Sequence, residues 1–168
     1  MKWKAAVITL SDKGAKGQRV DESGMLIKRM LEEAGYEIAG YSLLPDEQQL
    51  IEKELIRFSD EEKVDLILTT GGTGFSPRDC TPEATLNVAT KNVPGIAEAM
   101  RYASLQITPR AMLSRAVSVI RGETLIINLP GSPKAVKENL EYILPSLSHG
   151  LGILKGVSGE CGTSLGEK

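Results

Sequence analysis

Along this chain, unbroken apolar runs alternate with segments whose apolar residues recur every three or four positions. The first kind suits strands buried on both faces, the second amphipathic helices. Residues 4–10, KAAVITL, form the first run. The polar, glycine-bearing stretch 11–20 predicts a mobile loop. Asp21 then caps a helix with Leu26, Ile27, Met30, Leu31 and Ala34 on one face, and Gly35 stops it. Residues 36–44 read as a second strand. Asp46 with Gln49 has the form of a capping box, and Leu50, Ile51, Leu55 and Phe58 supply the next helical stripe. A charged loop, 59–64, leads to a central strand of Leu66, Ile67, Leu68, Thr69 and Thr70.

Beyond that strand, Thr81 as cap and Pro82 as first helical residue predict a short helix to about Thr90. Pro94 and Gly95 open another, with Ile96, Met100, Ala103 and Ile107 on one face, and Pro109 breaks it. Strand and helix alternate to this point, which favours a parallel sheet covered on both faces. Strands at 116–120 and 124–129 then flank the turn Arg121-Gly122-Glu123. They are too close for a crossover and must pair antiparallel, so the sheet is mixed. A last helix follows Pro130-Gly131-Ser132-Pro133-Lys134 and runs to about Leu147. The whole chain, 1–168, reads as one domain with a loosely held glycine-rich tail from about 155.

Composition narrows the function. The 168 residues are 41% hydrophobic and 25% charged, ordinary for a globular domain. A net charge of −2 and an aromatic fraction of 4% give no support to a nucleic-acid partner. No apolar run is long enough for a membrane span, and the amino-terminal run ends too early, with no cleavage site, to be a signal peptide. Cys80 and Cys161 form no CxxC pair and read as free thiols in a reducing cytoplasm. His149 has no companion at metal-ligand spacing and is expected to close a helix or lie in a loop.

The candidate chemistry centres on TTGGTGFSPRDCTPEAT, after the central strand. Gly71, Gly72 and Gly74 permit positive φ and expose backbone N–H groups at a strand's carboxyl edge. No Lys follows Gly74, which excludes a P-loop, and Pro77 stands where a dinucleotide fingerprint needs glycine. The loop instead offers amides, the Thr73 hydroxyl, the Arg78 cation and the Asp79 carboxylate. A carboxylate beside a phosphate loop makes sense with Mg²⁺ between them. The plain alternative is a tight turn in which Asp79 bonds its own backbone. Asp46 also follows a strand and should reach the same sheet edge, though a simple helix cap would explain it too. The junction at 130–134 joins glycine, hydroxyl and lysine at another helix start, or is an ordinary proline turn.

LPDEQ after the second strand, then TTGGTG, RDCTPEAT, LSRA and INLPGSPK, in that order along the chain, resemble the Mog-type molybdopterin adenylyltransferases. That molybdopterin-binding domain is shared with the plant Cnx and the gephyrin G domains. The LPDEQ segment favours the adenylyltransferases over the related MoaB and MoeA proteins. The resemblance implies a three-layer α/β/α sandwich that assembles as a homotrimer. It implies transfer of AMP from MgATP to the phosphate of molybdopterin with release of pyrophosphate, the adenylylated pterin then being handed to a molybdenum-insertion protein. Asp46 and Asp79 then match the family's acidic pair, with Mg²⁺ as their metal. Gly71, Gly72, Thr73 and Gly74 match the nucleotide and phosphate loop. Ser114 and Asn128 match positions tied to pterin binding, and Ser11 and Asp12 the segment after strand one. Arg78, Pro130, Gly131, Ser132 and Lys134 complete the expected substrate contacts. Lys13 and the segment 75–77 depart from the family pattern. A non-catalytic pterin-binding or scaffold paralogue is the alternative.

Overall fold

The computed structural model describes residues 2–157. The glycine-rich tail and Cys161 fall almost wholly outside that range. The element order is β1 (Lys4–Leu10), α1 (Asp12–Ala15), α2 (Glu22–Glu33), β2 (Glu37–Leu44), α3 (Gln48–Ile56), a π turn (Arg57–Glu61), β3 (Leu66–Thr70) and α4 (Thr81–Val88). There follow β4 (Lys91–Asn92), α5 (Pro94–Leu105), a 3₁₀ turn (Pro109–Leu113), β5 (Ser118–Arg121), β6 (Thr124–Leu129) and α6 (Pro133–Leu154).

Six strands form one sheet in the order β2-β1-β3-β6-β5-β4. β2, β1, β3 and β6 run parallel, while β5 and β4 are antiparallel additions at one side. Alternate residues of each strand face opposite ways, so the sheet has two cores. Ala5, Val7, Leu66, Leu68 and Ile127 pack under α2, α5 and α6, through Ile27, Leu31, Met100 and Leu140. Ala6, Ile8, Ile67 and Ile126 pack under α3, the π turn and α4, through Ile51, Leu55, Phe58 and Val88. This is the three-layer α/β/α sandwich, with the central strand buried throughout.

Several elements differ from the sequence expectation. The stretch 11–20 is not all loop. Ser11 caps the one-turn helix α1 by accepting from the Gly14 N–H at 3.0 Å. Asp46 does not cap α3, which starts at Gln48 behind Glu47. α4 has Cys80 at its cap position with no side-chain bond, and Thr81 lies inside the helix. Residues 57–61 wind as a π turn instead of opening into a loop, because Phe58 is pulled into the core. The two-residue strand β4 carries no apolar run to announce it. α6 continues past Leu147 to Leu154, through Pro145. Leu147 and Leu151 are buried, and that packing holds the helix together beyond its proline. His149 therefore sits inside a helix, not at its end.

Candidate active site

Four segments leave parallel strands at one sheet edge: Ser11–Asp12 after β1, Asp46 after β2, the glycine loop after β3, and 130–132 after β6. The chain leaves β1 for β2 on one side, then crosses to β3 on the other. This reversal between β1 and β3 makes the crevice where open α/β sheets bind ligands. A cavity of about 780 Å³ lies there. Ser11, Asp12, Asp46, Gly71, Gly72, Asp79, Gly131 and Ser132 all contribute to its wall.

The glycines are there for geometric reasons. Gly71 has φ +95° and a Cβ would stand 2.3 Å from the Leu10 carbonyl oxygen. Gly72 has φ +68°, and a Cβ would meet the Thr81 hydroxyl at 2.3 Å and Asp46 Oδ1 at 3.0 Å. The turn is tied down through its carbonyls. Thr81 Oγ1 donates to Gly71 O at 3.0 Å, and Thr81 N–H to Gly72 O at 3.2 Å. Among the described residues, the N–H groups of Gly72 and Gly74 meet no acceptor.

Asp12 and Asp46 bond reciprocally. The Asp12 N–H donates to Asp46 Oδ2 at 3.2 Å, and the Asp46 N–H donates to Asp12 Oδ1 at 3.0 Å. Arg78 reaches Asp12 with two guanidinium nitrogens, at 2.7 and 2.9 Å. That pair holds the Asp12 carboxyl below the usual carboxylate range. Asp46 goes the other way. Burial raises its pKa, and the charges of Asp12 and Asp79 add to the rise against the Asp12 N–H bond. Its Oδ1 is buried without a hydrogen-bond partner. A buried acceptor left open at a cavity wall marks a position for a ligand or cation. Asp79 Oδ2 accepts from the Ser76 N–H at 3.1 Å and would lie 3.0 Å from a Cβ on Gly74.

The structure also separates some expected site residues. Thr73, Gly74, Ser114 and Pro130 line a second cavity of about 310 Å³, with Met100, Leu113 and Asn139. The Gly71–Gly74 turn therefore divides two cavities, with its first pair of residues facing one and its second pair the other. Asn128 lines neither. It is fully buried and donates to Thr69 and Thr85 hydroxyls at 3.0 Å, while accepting from Val117 N–H at 3.2 Å. Its place is in the core that joins β3, α4 and β6. Lys134 points along α6 toward Glu138 and also lines neither cavity. Arg78, the loop's own cation, pairs its guanidinium with Asp12.

Two further cations that the sequence pattern did not single out as site residues face the larger cavity. Lys13 and Arg19 line the larger cavity and, among the described residues, pair with no carboxylate. They sit in or after α1, the element read as loop, so no periodicity pointed at the cavity. Asp21 was missed as well. It caps α2 through the Gly24 N–H at 2.8 Å and also accepts from Thr9 and Tyr41 hydroxyls at 2.7 and 2.5 Å. Burial and that carboxylate push the Tyr41 phenol up to about 12.

Mg²⁺ takes oxygen ligands, one or two carboxylates and otherwise water or phosphate. Asp46, with its open buried oxygen, and Asp79 fit that donor set. Among the described residues no three His, Cys, Asp or Glu side chains gather as a complete metal cage. A carboxylate pair that leaves the remaining positions to phosphate oxygens is what the residues offer.

Comparison with known proteins places the chain in a family. The family model for the probable molybdopterin binding domain matches residues 6–149. A molybdopterin adenylyltransferase of Helicobacter pylori (strain J99) is 44% identical over 152 residues, spanning 89% of this chain and 86% of that protein. Gephyrin of Dictyostelium discoideum is 43% identical over 162 residues, spanning 90% of this chain but 22% of gephyrin. The crystal structure of the molybdopterin biosynthesis enzyme MoaB from Thermus thermophilus matches with a TM-score of 0.87 at 49% identity, over 92% of this chain and 97% of that one. With the glycine turn, the acidic residues and the fold all in place, the chain belongs to the molybdopterin-binding domain family.

Proposed function

We propose that this chain is a molybdopterin adenylyltransferase, moving AMP from MgATP to the terminal phosphate of molybdopterin and releasing pyrophosphate. The observation that supports it best is the pair of cavities on either side of one glycine turn, with the open Asp46 oxygen beside Gly72. The larger, polar cavity has the cations and amides a nucleotide triphosphate needs. The smaller one, where Met100, Leu113 and Pro130 stand among polar groups such as Thr73, Arg101, Ser114 and Asn139, suits a flat pterin with hydrogen-bonding edges. The phosphates of the two substrates would then meet at the turn.

In the reaction, a molybdopterin phosphate oxygen bonds to the α-phosphorus of ATP, the α–β anhydride bond breaks, and pyrophosphate leaves. The attacking phosphate is already ionised at neutral pH, so no general base is required. Asp46 and Asp79 would hold Mg²⁺, which when bound offsets charge on the phosphate oxygens. The chain's remaining task is alignment and charge compensation. The N–H groups of Gly72 and Gly74 donate to phosphate oxygens, and Lys13 and Arg19 counter the charge that gathers on the leaving pyrophosphate. Ser132, which caps α6 by accepting from Ala135 N–H, places that helix's N-terminus at the same cavity.

The same reading includes assembly as a homotrimer, a cytoplasmic setting, delivery of product to a molybdenum-insertion protein, and neither nucleic-acid nor membrane partners. No helix among the described residues is long and apolar enough to cross a membrane. The test is to mix protein, molybdopterin and MgATP and measure pyrophosphate. Release that needs all three components is expected. Pterin binding without release would leave the scaffold alternative, and release without pterin would point to a nucleotide hydrolase.

A further inference from the structure

Between the two cavities, the segment 74–79 stands as a small arch. The Asp79 N–H donates to Ser76 O at 2.9 Å, and the Ser76 N–H returns a bond to Asp79 Oδ2 at 3.1 Å. Phe75, at the arch's exposed side, is 70% open to solvent. Nothing apolar holds this segment to the core. Two side chains hold it, Arg78 through its pair with Asp12 and Arg115 through the carbonyls at both feet. Arg115 Nε donates to Gly74 O at 2.7 Å and Nη2 to Asp79 O at 3.0 Å, so one planar guanidinium ties both feet of the arch. The Arg115 backbone N–H donates to Thr73 O at 2.9 Å, one residue earlier. Nη1 pairs with the half-exposed Glu83 on α4.

These bonds set orientation as well as distance. Each peptide unit is planar and trans, so its C=O and the following N–H point in opposite directions. Fastening the carbonyls of Thr73, Gly74 and Asp79 to Arg115 turns the N–H groups of Gly74, Phe75 and Cys80 away from it. A guanidinium has its donors in a rigid fork, so it also fixes the spacing between the Gly74 and Asp79 carbonyls. A lysine on the same stem would carry one point charge and could not hold both.

We infer that Arg115 is a positioning residue for adenylyl transfer: it braces the Gly74–Asp79 arch from the side of the smaller cavity, thereby setting the Asp79 carboxylate and the Gly74 amide. It follows Ser114, a wall residue of that cavity, directly in the chain. The catalytic part of this inference rests on the adenylyl-transfer reading above; the bracing part does not.

Two measurements separate them, made on the full chain as the parent, Arg115→Met, Arg115→Lys and Glu83→Gln, each checked for native circular dichroism. The first is chymotrypsin cleavage at Phe75 without any ligand. Arg115→Met should be cut much faster than the parent, Arg115→Lys at an intermediate rate, and Glu83→Gln close to the parent. The second is pyrophosphate release. kcat should fall about 100-fold in Arg115→Met, as for a misplacement near 1 Å, with ATP KM close to the parent's. The Mg²⁺ concentration for half-maximal rate should rise, and Arg115→Lys should recover part of kcat. A purely structural role would lower melting temperature and leave kcat and the Mg²⁺ requirement alone. Unchanged cleavage at Phe75 in Arg115→Met, or in Arg115→Lys if the former does not fold, overturns the bracing. Altered cleavage with parental kcat overturns the positioning role. A parent that releases no pyrophosphate overturns the adenylyl-transfer reading and the positioning role with it, while the cleavage rates still decide the brace.

Discussion

At the scale of single residues, the site is a place where the fold accepts unfavourable electrostatics. Asp46 is half-buried beside Asp12 and Asp79, and its pKa is raised accordingly. Asparagine is the same shape and carries no charge. Asp46→Asn should therefore melt no lower than the parent, and Asp79→Asn should also fold, while both release pyrophosphate at least about 100-fold more slowly. Calorimetry with the pyrophosphate assay on the same samples checks both halves. Either variant turning over like the parent would remove that carboxylate from the metal role. The glycine turn gives the opposite pattern. Gly71→Ala drives a Cβ against a backbone carbonyl, which cannot swing aside, at a positive φ. It should lose about 3 kcal/mol of stability by urea unfolding. A loss under about 1 kcal/mol would mean that the turn can re-fold around a side chain.

At the scale of elements, the junction of β2, α3 and the π turn is pinned by one carboxylate. Glu54 accepts from Arg57 Nε at 3.0 Å and Nη2 at 2.6 Å, and from the Ser42 hydroxyl. Arg57 also pairs with Glu62 beyond the turn. The Arg57 bond holds the Glu54 carboxyl below its ordinary value of 4.5. A depressed carboxylate stabilises fully above the unfolded pKa and loses that effect as pH falls through the folded one. Glu54→Gln should thus be less stable than the parent by about 1 kcal/mol at pH 7, with the gap closing as pH falls below 4.5. Urea midpoints at pH 7 and in acid measure it, and a gap that persists in acid would deny the charge its role. The same junction shows what sequence reading can and cannot reach. β1, β3 and β6 were legible because they are buried on both faces and so are apolar without interruption. The hairpin of β5 and β6 was legible from its short turn. The π turn was not, because it follows from Phe58 seeking the core at the price of regular helix geometry. Asp46 looked like a cap because Asp-x-x-Gln fits one locally. Only the approach of Asp12, distant in sequence, shows why its N–H and one oxygen are already taken. Asn128 was legible only as a motif position, since its burial among Thr69, Thr85 and Val117 depends on segments distant in the chain. Arg115 lay in plain view in LSRA, yet its partners Gly74 and Asp79 come from another strand's loop.

At the scale of the whole molecule, one face is left without cover. Tyr102, Leu105, Ile107, Met112 and Leu113 are all exposed along α5 and the 3₁₀ turn that follows it, Tyr102 to 64%. Scattered apolar residues on a surface mean little, but this many large ones along one segment suit a subunit interface. Thr108, Arg110, Ala111 and Leu113 of the same segment also line the smaller cavity. A neighbouring copy seated there would stand beside the proposed pterin site and shield it from water. Closed assembly of identical chains requires that each copy offer a matching pair of surfaces, so a charge placed in this patch acts at every interface at once. Light scattering on the purified protein should give three times the 18.1 kDa chain mass. The double variant Tyr102→Glu, Ile107→Glu should give the single-chain mass with unchanged circular dichroism, because both side chains already face solvent in the isolated fold. A parent that scatters as one chain would rule out the homotrimer, and a double variant that keeps the parental mass would place the interface on another face.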